Sequence, residues 1–403
     1  MVRAGYKQTE VGEIPEDWEV QDFQQSLARL NAKNHQIQTR EYREHGRHPV
    51  VDQGKKPVVG YSDADEKLLR VDDGGVIVFG DHTCITKYVN FPFVVGADGT
   101  QIIRSKNGDD TRFRYYDLEH KGIEPTGYNR HFSKLKERAF VTPKPSEQKA
   151  IADALSDVDA LIGSLEKLIA KKRDIKTATM QQLLTGKTRL PGFGEGKDTK
   201  HSELGEIPED WQITSYVEIG EIDPENLSSA TLPEHEFNYI SLEHVSKGVL
   251  KGYERLVFRD APSRARRVLR RGDVLFGTVR PNLQSHYRFG KDEKDWVCST
   301  GFAVLRPKEG IVCSEFVFLS VFSGNVQKQV ETIIAGSNYP AVSSRDVSKL
   351  KIPKPEIEEQ KAISKALTDM DFELTTLEAS LSKTKAVKQG MMQELLTGRT
   401  RLV

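Results

Sequence analysis

One heptapeptide, GEIPEDW, occurs twice in this chain of 403 residues, at 12–18 and at 205–211. The similarity extends to both sides, because KQTEVGEIPEDWEV in the first copy corresponds to KHSELGEIPEDWQI in the second. Much later in each half a second repeated block follows, at 147–190 and at 359–402, which begins with EQKAI and ends with LLTG and TRL. Long internal similarity of this kind indicates a duplicated structural unit. We therefore predict two tandem halves that share one frame.

Between the repeated blocks each half carries a segment of its own, residues 19–142 in the first half and 212–352 in the second. These inserts differ in length and share no run that aligns by eye. Their short apolar and β-branched runs, such as VIVFG and DVLFG, are broken by Gly, Asp and Pro, which is typical of strands and turns. We predict mixed β and α inserts that present two different recognition surfaces on a repeated scaffold.

The block that begins with EQKAI predicts one long helix in each half. Its apolar residues recur at alternating steps of four and three, the 3.5-residue period of a coiled-coil seam. From Glu147 to Thr185 the helix has about 39 residues, or roughly 58 Å at about 1.5 Å per residue. Gly186 and Gly398 fit the stops at the carboxyl ends. The predicted seam residues are Ile151, Leu155, Val158, Ile162, Leu165 and Ile169 in the first half and Ile363, Leu367, Met370, Leu374, Leu377 and Leu381 in the second.

Two helices with matching seams are predicted to pair with each other. An antiparallel pair would give the two halves an approximate two-fold axis, because each helix would then occupy an equivalent position. The alternative is that each helix packs only against the insert of its own half.

Composition argues against several classes of protein. The chain has 59 basic and 59 acidic side chains, so net charge alone would not hold it on nucleic acid. No apolar run is long enough to span a bilayer, and we predict a cytoplasmic protein without membrane contact. The three cysteines are far apart and form no CxxC pattern, and neither a phosphate-binding loop nor GxGxxG is present. We predict no catalytic residue, no metal and no cofactor bound by this chain.

Two features leave an enzymatic function open. The acidic-x-Lys triplets at 147–149 and 359–361 resemble the end of many nuclease sites, which makes a Mg-dependent nuclease an alternative. Their other interpretation is an acidic first turn at the start of each helix. Asp81 and His82 could form an acid–base pair, but they lack a third orienting group, and a polar turn is the preferred interpretation.

Basic and amide side chains in the inserts suggest DNA contacts. Residues 255–271 hold seven arginines against one acid, which suits phosphate contacts, although a solvated surface would look the same. Arg280, Asn282 and Gln284 offer the side chains that read guanine and adenine. The candidate DNA-binding residues are Lys55, Lys56, Tyr61, His82, Thr83 and Lys87 in the first insert and Arg264, Arg266, Arg267, Arg280, Asn282, Gln284, Asn338 and Tyr339 in the second.

These motifs together resemble a known family. GEIPEDW opens each half, GSNYPAVSSRDVSKLKIPKPEIEEQKAI closes the second insert at 336–363, and LLTG with TRL ends each long helix. In this order, over nearly all of its length, the chain resembles the specificity (S) subunit of type I restriction–modification enzymes. One departure is HFSKLKERAFVTPKP at 131–145, a weaker form of the closing motif, which makes the junction of the first insert with its helix less certain.

The resemblance implies an α+β fold, with two mixed α/β target-recognition domains separated by two long antiparallel coiled-coil helices in a pseudo-two-fold tandem repeat. The expected boundaries are 1–145 for the first recognition domain, 146–190 for the first spacer helix, 191–355 for the second recognition domain and 356–403 for the second spacer helix.

The resemblance also implies a function. Each recognition domain would read one half of a bipartite, asymmetric site in double-stranded DNA. The paired helices would set the gap and dock two methyltransferase (M) subunits, and restriction/translocase (R) subunits would complete the complex. The partner subunits would use S-adenosylmethionine, ATP and Mg, while this chain would be a non-catalytic specificity subunit. An orphan or regulatory S-like DNA-binding protein is a second alternative.

Overall fold

The computed structural model describes residues 2–127, 129–196, 198–335 and 340–402. The chain forms two compact units. Unit 1 comprises Met1–Lys167 together with Glu378–Val403, and unit 2 comprises Leu168–Leu377. Unit 1 is therefore built from both ends of the sequence, whereas unit 2 is one continuous segment. No helix in the described part of the chain is both long enough and apolar enough to cross a membrane.

In the described residues, unit 1 combines two sheets, two small strand pairs and three short helices with the first part of one long helix and the last part of another. Its strands are β1 Tyr6–Thr9, β2 Gly12–Pro15, β3 Glu19–Gln21, β4 Leu27–Leu30, β5 Gln36–Ile37, β6 His48–Val51, β7 Gly60–Ser62, β8 Leu68–Leu69, β9 Val76–Gly80, β10 Thr86–Val89, β11 Phe93–Gly96, β12 Thr100–Ser105 and β13 Phe140–Thr142. The helices are α1 Phe23–Ser26, α2 Thr111–His120, α3 Phe132–Lys136 and α4 Pro145–Thr185.

Unit 2 has the same kinds of element. Its strands are β14 Thr199–Ser202, β15 Gly205–Pro208, β16 Gln212–Ser215, β17 Gly220–Ile222, β18 Glu236–Ile240, β19 Val245–Ser246, β20 Val249–Leu250, β21 Glu254–Val257, β22 Ala265–Val268, β23 Val274–Gly277, β24 Tyr287–Arg288, β25 Trp296–Ser299, β26 Phe302–Pro307 and β27 Lys351–Lys354. Its helices are α5 Tyr216–Ile219, α6 Ser314–Ser320, α7 Gly324–Ala335, α8 Ser344–Lys349 and α9 Ile357–Leu395.

The two inserts share one topology even though their sequences do not align by eye. An antiparallel sheet has the order β10-β9-β12-β4 in unit 1 and β24-β23-β26-β17 in unit 2. The second sheet of each unit has a parallel pair at its centre, β6 with β11 and β18 with β25, flanked by an antiparallel strand, β7 or β21. The inserts are thus two versions of one architecture, and each unit has the predicted mixture of helix and sheet.

Apolar central strands hold these sheets together. Strand β9 has the sequence VIVFG, and all five of its residues are buried. Strand β23 has the sequence VLFG, and all four are buried. Uninterrupted apolar runs suit strands that are covered on both faces, which explains why these short segments form the centre of each antiparallel sheet.

The repeated GEIPEDW motif builds the same hairpin in each unit. In unit 1 the GEIP residues form β2, which pairs antiparallel with β1, and in unit 2 they form β15, which pairs with β14 in the same register. The motif then ends at a tryptophan that is fully enclosed, with Trp18 at 0% and Trp211 at 1% exposure. The following strand, β3 or β16, pairs with the strand just before the long helix, β13 or β27.

The long helices pack antiparallel to each other within each unit. In unit 1 the start of α4 and the end of α9 share a core that includes Ile151, Leu155 and Leu395. Lys385 of α9 pairs with Glu166 of α4 at 2.7 Å, and Arg401, beyond the end of α9, pairs with Glu147 at the start of α4. The contacts therefore run in opposite directions along the two segments.

Unit 2 contains the equivalent arrangement with the helix ends exchanged. Leu183 near the end of α4 and Ile363 near the start of α9 belong to one core. Lys172 pairs with Glu373 at 2.7 Å, and Lys176 pairs with Asp371. All twelve predicted seam residues are buried or half-buried in their own units.

Candidate nucleic-acid interface

In unit 1, loops that leave three strands meet at one end of the sheets. Strands β6 and β11 are parallel, so their carboxyl ends lie at the same edge. The hydroxyl of Thr83, in the connection after β9, donates to the carbonyl of Gln53, after β6, at 2.6 Å, and the His82 amide donates to the Gln53 side chain at 3.1 Å. The Asp81 amide donates to the carbonyl of Gly99 at 2.8 Å. We call residues 52–59, 81–85 and 97–99 the unit 1 loop cluster.

The unit 1 loop cluster contains most of the candidates from the first insert. Lys55 and Lys56 are exposed on it, and His82 and Thr83 are half-buried. Tyr61 lies beyond the cluster on β7 with 37% of its surface exposed. The cluster therefore brings together four of the predicted residues and offers two lysines to solvent.

Lys87 lies inside this arrangement. Its ammonium group donates to the carbonyl of Asp52 at 2.9 Å and to that of Lys56 at 2.5 Å, and only 11% of its side chain is exposed. Burial lowers the pKa of Lys87, and the nearby Asp52 carboxylate opposes that shift. The amine thus bonds the 52–56 loop from the protein side. A direct phosphate contact would need an ammonium group that faces solvent.

Asp81 bonds the backbone at the start of α3. Its carboxylate is buried and accepts the amide of Phe132 at 2.8 Å, and its carbonyl accepts the amide of His131 at 2.8 Å. These bonds favour the polar turn over the acid–base pair with His82, because the Asp81 carboxylate already serves the backbone at the start of α3.

Unit 2 has a loop cluster at the equivalent end of its sheets. Strands β18 and β25 are parallel, and the connections after β18, β23 and β25 are bonded to one another. Thr278 donates its amide and its hydroxyl to the carbonyl of Gly301, at 2.9 and 2.7 Å. The amide of Lys247 donates to the carbonyl of Gln284 at 3.1 Å. We call residues 241–253, 278–286 and 300–301 the unit 2 loop cluster.

A constrained turn in this cluster presents the second insert's candidates. Arg280 and Gln284 have φ values of 49° and 54° and flank a single 3₁₀ turn at 281–283. Residues other than glycine rarely adopt this left-handed backbone conformation, and backbone strain of this kind concentrates at functional sites. Arg280 and Asn282 are exposed, Gln284 is half-buried, and Arg280 has no ion pair within the described residues. The backbone amide of Arg280 is fixed by the carbonyl of Pro340 at 2.8 Å.

His286 closes the turn from inside the protein. Its Nδ1 accepts the amide of Gly277 at 3.2 Å, and its carbonyl accepts the amide of Gly248 at 2.9 Å. The ring is fully buried and lies 4.2 Å from the ring of Phe276. Burial lowers the pKa of His286 from 6.5 to about 3, so the imidazole is neutral near pH 7. Sequence reasoning missed this residue because one histidine in a polar run carries no pattern.

The arginine run at 255–271 is largely neutralised within the protein. Five of its seven guanidinium groups pair with carboxylates, and the pairs are Arg255 with Glu236, Arg259 with Glu234, Arg267 with Asp223, Arg270 with Glu225 and Arg271 with Asp292. The pair of Arg267 and Asp223 is mostly enclosed, with side-chain exposures of 20% and 10%. The run is therefore much less basic as a surface than its sequence indicates.

Two arginines of the run have no carboxylate partner in the described part of the chain. Arg264 is exposed, and its carbonyl accepts the amide of Thr300, which belongs to the unit 2 loop cluster. Arg266 is half-buried, donates to the carbonyl of Ala265 at 2.8 Å and lies over the Phe258 ring at 4.9 Å. Asn338 and Tyr339, the other candidates in unit 2, lie outside the described residues.

The acidic-x-Lys triplets form structural junctions. Glu147 is fully buried, and its carboxylate accepts the indole N–H of Trp18 at 3.0 Å and two bonds from Arg401, at 2.6 and 2.8 Å. Arg401 also binds Asp17 through two 2.9 Å bonds, and these bonds hold the pKa of Asp17 below its ordinary value. Both carboxylate oxygens of Glu147 are occupied, so the triplet has no group left for a nuclease metal.

The same junction occurs in unit 2 with residues from the other repeat copy. Glu359 accepts the indole N–H of Trp211 at 3.1 Å and a 2.7 Å bond from Arg189, and Arg189 also binds Asp210. Arg189 and Arg401 are the arginines of the two TRL motifs. The repeat itself could have revealed this network, because all four of its residue types recur in both copies.

One group of possible metal ligands lies in the unit 2 loop cluster and its border. Ligand atoms of Glu243, His244 and Glu254 all lie within 4.8 Å of one another. Both glutamates are exposed, and His244 is half-buried. Exposed carboxylates approach each other in this way on many protein surfaces, and we assign no metal site here.

Comparison with known proteins identifies the architecture. A family model described as the type I restriction modification DNA specificity domain matches residues 15–172 and again 208–385. The type I restriction enzyme MjaVIII specificity subunit of Methanocaldococcus jannaschii is 28% identical over 267 residues, which is 64% of this chain and 61% of that protein, less than two thirds of its length. A second protein of the same organism, provisionally named type I restriction enzyme MjaX specificity subunit, is 26% identical over 98% of this chain and 97% of its own length.

Solved structures agree on the fold. The S subunit of a type I restriction–modification system from M. genitalium has a TM-score of 0.60 at 18% identity, with 94% of this chain and 96% of that one covered. Two tandem matches to the family model and two units of one topology lead to the same assignment. The chain belongs to the specificity subunits of type I restriction–modification enzymes, a family of non-catalytic DNA-recognition subunits.

Proposed function

We propose that each unit reads one half of a bipartite, asymmetric site in double-stranded DNA. One observation carries the proposal: equivalent ends of the same two-sheet framework present loop clusters with different side chains. Unit 1 exposes Lys55 and Lys56 there, whereas unit 2 exposes Arg280 and Asn282. Equal frameworks with unequal contact residues suit a reader of two different half-sites.

The chemistry of the clusters supports DNA as the ligand. Arginine contacts guanine and asparagine contacts adenine through paired hydrogen bonds, which fits Arg280 and Asn282 on a rigid turn. Lysines and Arg264 suit phosphate contacts, which fix the register of a protein on the duplex. The turn at 280–284 is held by backbone bonds at both ends, so little conformational entropy is lost when it enters a groove.

We further propose that α4 and α9 set the gap between the half-sites and dock two methyltransferase subunits. The support is the repeated frame, which gives two copies of the hairpin and of the junction built on Glu147 or Glu359. Restriction/translocase subunits would join the same complex in the cytoplasm. S-adenosylmethionine, ATP and Mg would be used by these partners.

Methylation mapping tests the proposed function. The chain would be co-expressed with the methyltransferase subunit encoded beside it, and methylated adenines would be mapped across the host genome by single-molecule sequencing. We expect one new motif with two short specific halves and a fixed gap. A continuous motif, or no new methylation from a complex that purifies intact, would refute the bipartite function.

A helix insertion tests the spacer. Leu183, Leu184 and Gly186 are buried in unit 2, so an insertion there would disturb the core. We would place one heptad after Lys167 in α4 and one after Leu377 in α9, which keeps the 3.5-residue seam in register. The gap should lengthen while both half-sequences stay the same. A changed half-sequence would count against a spacer role.

A further inference from the structure

Each unit has one polar side chain, largely enclosed by the protein, that bonds its exposed loop. In unit 1 this side chain is Lys87 on β10, and in unit 2 it is His286, directly before β24. Both follow the connection that leaves the central strand of the antiparallel sheet, β9 or β23. Neither side chain faces solvent, since Lys87 is 11% exposed and His286 is fully buried.

Lys87 determines the shape of the loop that carries two exposed lysines. Its ammonium group bonds two carbonyls, those of Asp52 and Lys56, on either side of Lys55. The Thr83 hydroxyl bonds the carbonyl between them, that of Gln53. Two carbonyls bonded to the Lys87 ammonium group and one bonded to the Thr83 hydroxyl constrain the loop, on which Lys55 and Lys56 are exposed.

His286 determines the shape of the turn that carries Arg280 and Asn282. The backbone amide of His286 donates to the carbonyl of Gln284 at 2.8 Å, and the ring Nδ1 accepts the amide of Gly277. His286 thus bonds residues near both ends of the 278–286 connection. Two residues of this turn have left-handed backbone conformations, which cost about 1–2 kcal/mol each and persist only where the surroundings enforce them. The imidazole packs against Phe276 and Phe322 and bonds the Gly277 amide, and in this position it helps to hold the two ends of the turn.

From this geometry we propose that Lys87 and His286 are positioning residues for DNA sequence specificity, each acting through its own loop on one half-site only. The inference rests on the proposed function. It changes the role of Lys87 from a candidate DNA contact to a support for the loop, and it gives His286 a role that no charge or motif in the sequence indicates. Base discrimination in each half-site then depends on a side chain that touches no DNA.

The test uses the full chain in complex with its methyltransferase subunit. A plasmid library would vary each base of both half-sites singly, and methylation would be read by single-molecule sequencing. Discrimination is the ratio of methylation at the cognate site to that at a site with one mismatch. Lys87→Met keeps the length of the side chain but removes the cation, and His286→Phe keeps a ring but removes the acceptor.

We expect Lys87→Met to lower discrimination by about fivefold or more in one half-site, the scale of a single lost base contact, and to leave the other unchanged. His286→Phe should do the reverse, so that each variant is the control for the other. Thr83→Val, which removes the bond to Gln53, should relax the same half-site as Lys87→Met and covers the case in which Lys87→Met fails to fold. His286→Asn, which retains an acceptor near the position of Nδ1, should restore most of the discrimination lost in His286→Phe.

Three results would overturn the proposal: equal relaxation of both half-sites, unchanged discrimination in folded variants, or slower methylation of the cognate site with the same discrimination. The last result is the mark of a merely structural role. A wild-type complex without bipartite methylation would instead refute the proposed function, and this outcome is visible before any variant is made.

Discussion

The junction of Glu147, Arg401 and Trp18 predicts how substitutions there change the free energy of unfolding of unit 1. Arg401 bonds the Glu147 carboxylate at 2.6 and 2.8 Å and lies over the Trp18 ring at 5.7 Å. Glu147 is fully buried. Among the described residues, Arg401→Ala therefore leaves the buried carboxylate with the Trp18 indole as its remaining side-chain partner. Removal of one member of a buried ion pair costs about 3–5 kcal/mol.

The cost should come mainly from the unpaired charge, and a second substitution can test this. Glu147→Gln keeps an acceptor for Trp18 and removes the charge. The double variant Arg401→Ala/Glu147→Gln should therefore be more stable than Arg401→Ala alone, by at least about 1 kcal/mol. Arg399→Ala is the matched control, because Arg399 is exposed and has no ion pair within the described residues; its effect should stay within about 0.5 kcal/mol.

Hydrogen exchange measured by mass spectrometry gives the opening free energy of each unit separately. Peptides from β2 and the first turns of α4 report on unit 1, and peptides from β23 and β26 report on unit 2. Arg401→Ala should lower protection in unit 1 and spare unit 2. The reasoning is wrong if Arg401→Ala costs less than about 1 kcal/mol, or if the double variant is no more stable than the single one.

Three further predictions concern other parts of the chain. Gly186 has a φ of 71°, and a Cβ added there would lie 2.4 Å from Pro208. Gly186→Ala should therefore destabilise unit 2 by more than the cost of the left-handed backbone alone, which is about 1–2 kcal/mol. The control is Gly163→Ala, which lies in a helix with open space around it and should be neutral or slightly stabilising in urea unfolding. Burial lowers the pKa of His286 from its ordinary 6.5 to about 3 in the folded protein, so the unfolded state binds more protons between these values. The stability that the neutral ring allows is present above pH 6.5 and declines as pH falls, by about 1 kcal/mol one pH unit below the ordinary pKa. His286→Phe should flatten the dependence of unit 2 protection on pH between 5 and 6.5. The double variant Arg264→Ala/Arg266→Ala should reduce the slope of log DNA affinity against log salt concentration by about one for each lost phosphate contact. The control is Arg255→Ala/Arg259→Ala, because these arginines pair with Glu236 and Glu234; this variant should leave the slope unchanged.

The repeated frame could be predicted because its signals are local. The alternating apolar steps of the seam appear within one stretch of sequence. Gly186 directly follows Thr185, the last residue of α4, as the sequence indicates, whereas α9 ends at Leu395, three residues before Gly398; both glycines have a φ of 71°. The common topology of the inserts could not be predicted in this way. Strand order depends on pairings between segments that are distant in the sequence. Strands β9 and β23 occupy equivalent central positions in their sheets because both are apolar, and this does not require their sequences to align.

The surroundings of individual candidate residues could not be predicted from the sequence. Gly, Asp and Pro mark the breaks between the apolar runs of the inserts, but the sequence does not reveal which group a cationic side chain faces. The acids that neutralise the arginine run lie on other segments, such as Glu236 on β18 and Glu225 before it. Lys87 likewise looks like a surface lysine until the 52–56 loop folds over it.

The division of the chain has a consequence for its synthesis on the ribosome. Unit 2 is continuous, so all of its segments are available once Leu377 has emerged. Unit 1 begins first but needs Glu378–Val403, including the Arg401 that neutralises buried Glu147. Domains usually complete their folding in the order in which they are made. Here the order is reversed: unit 1 begins first but is completed after unit 2, and its hydrophobic residues around Trp18 and Leu155 lack their partners from the end of α9 until Glu378–Val403 has emerged.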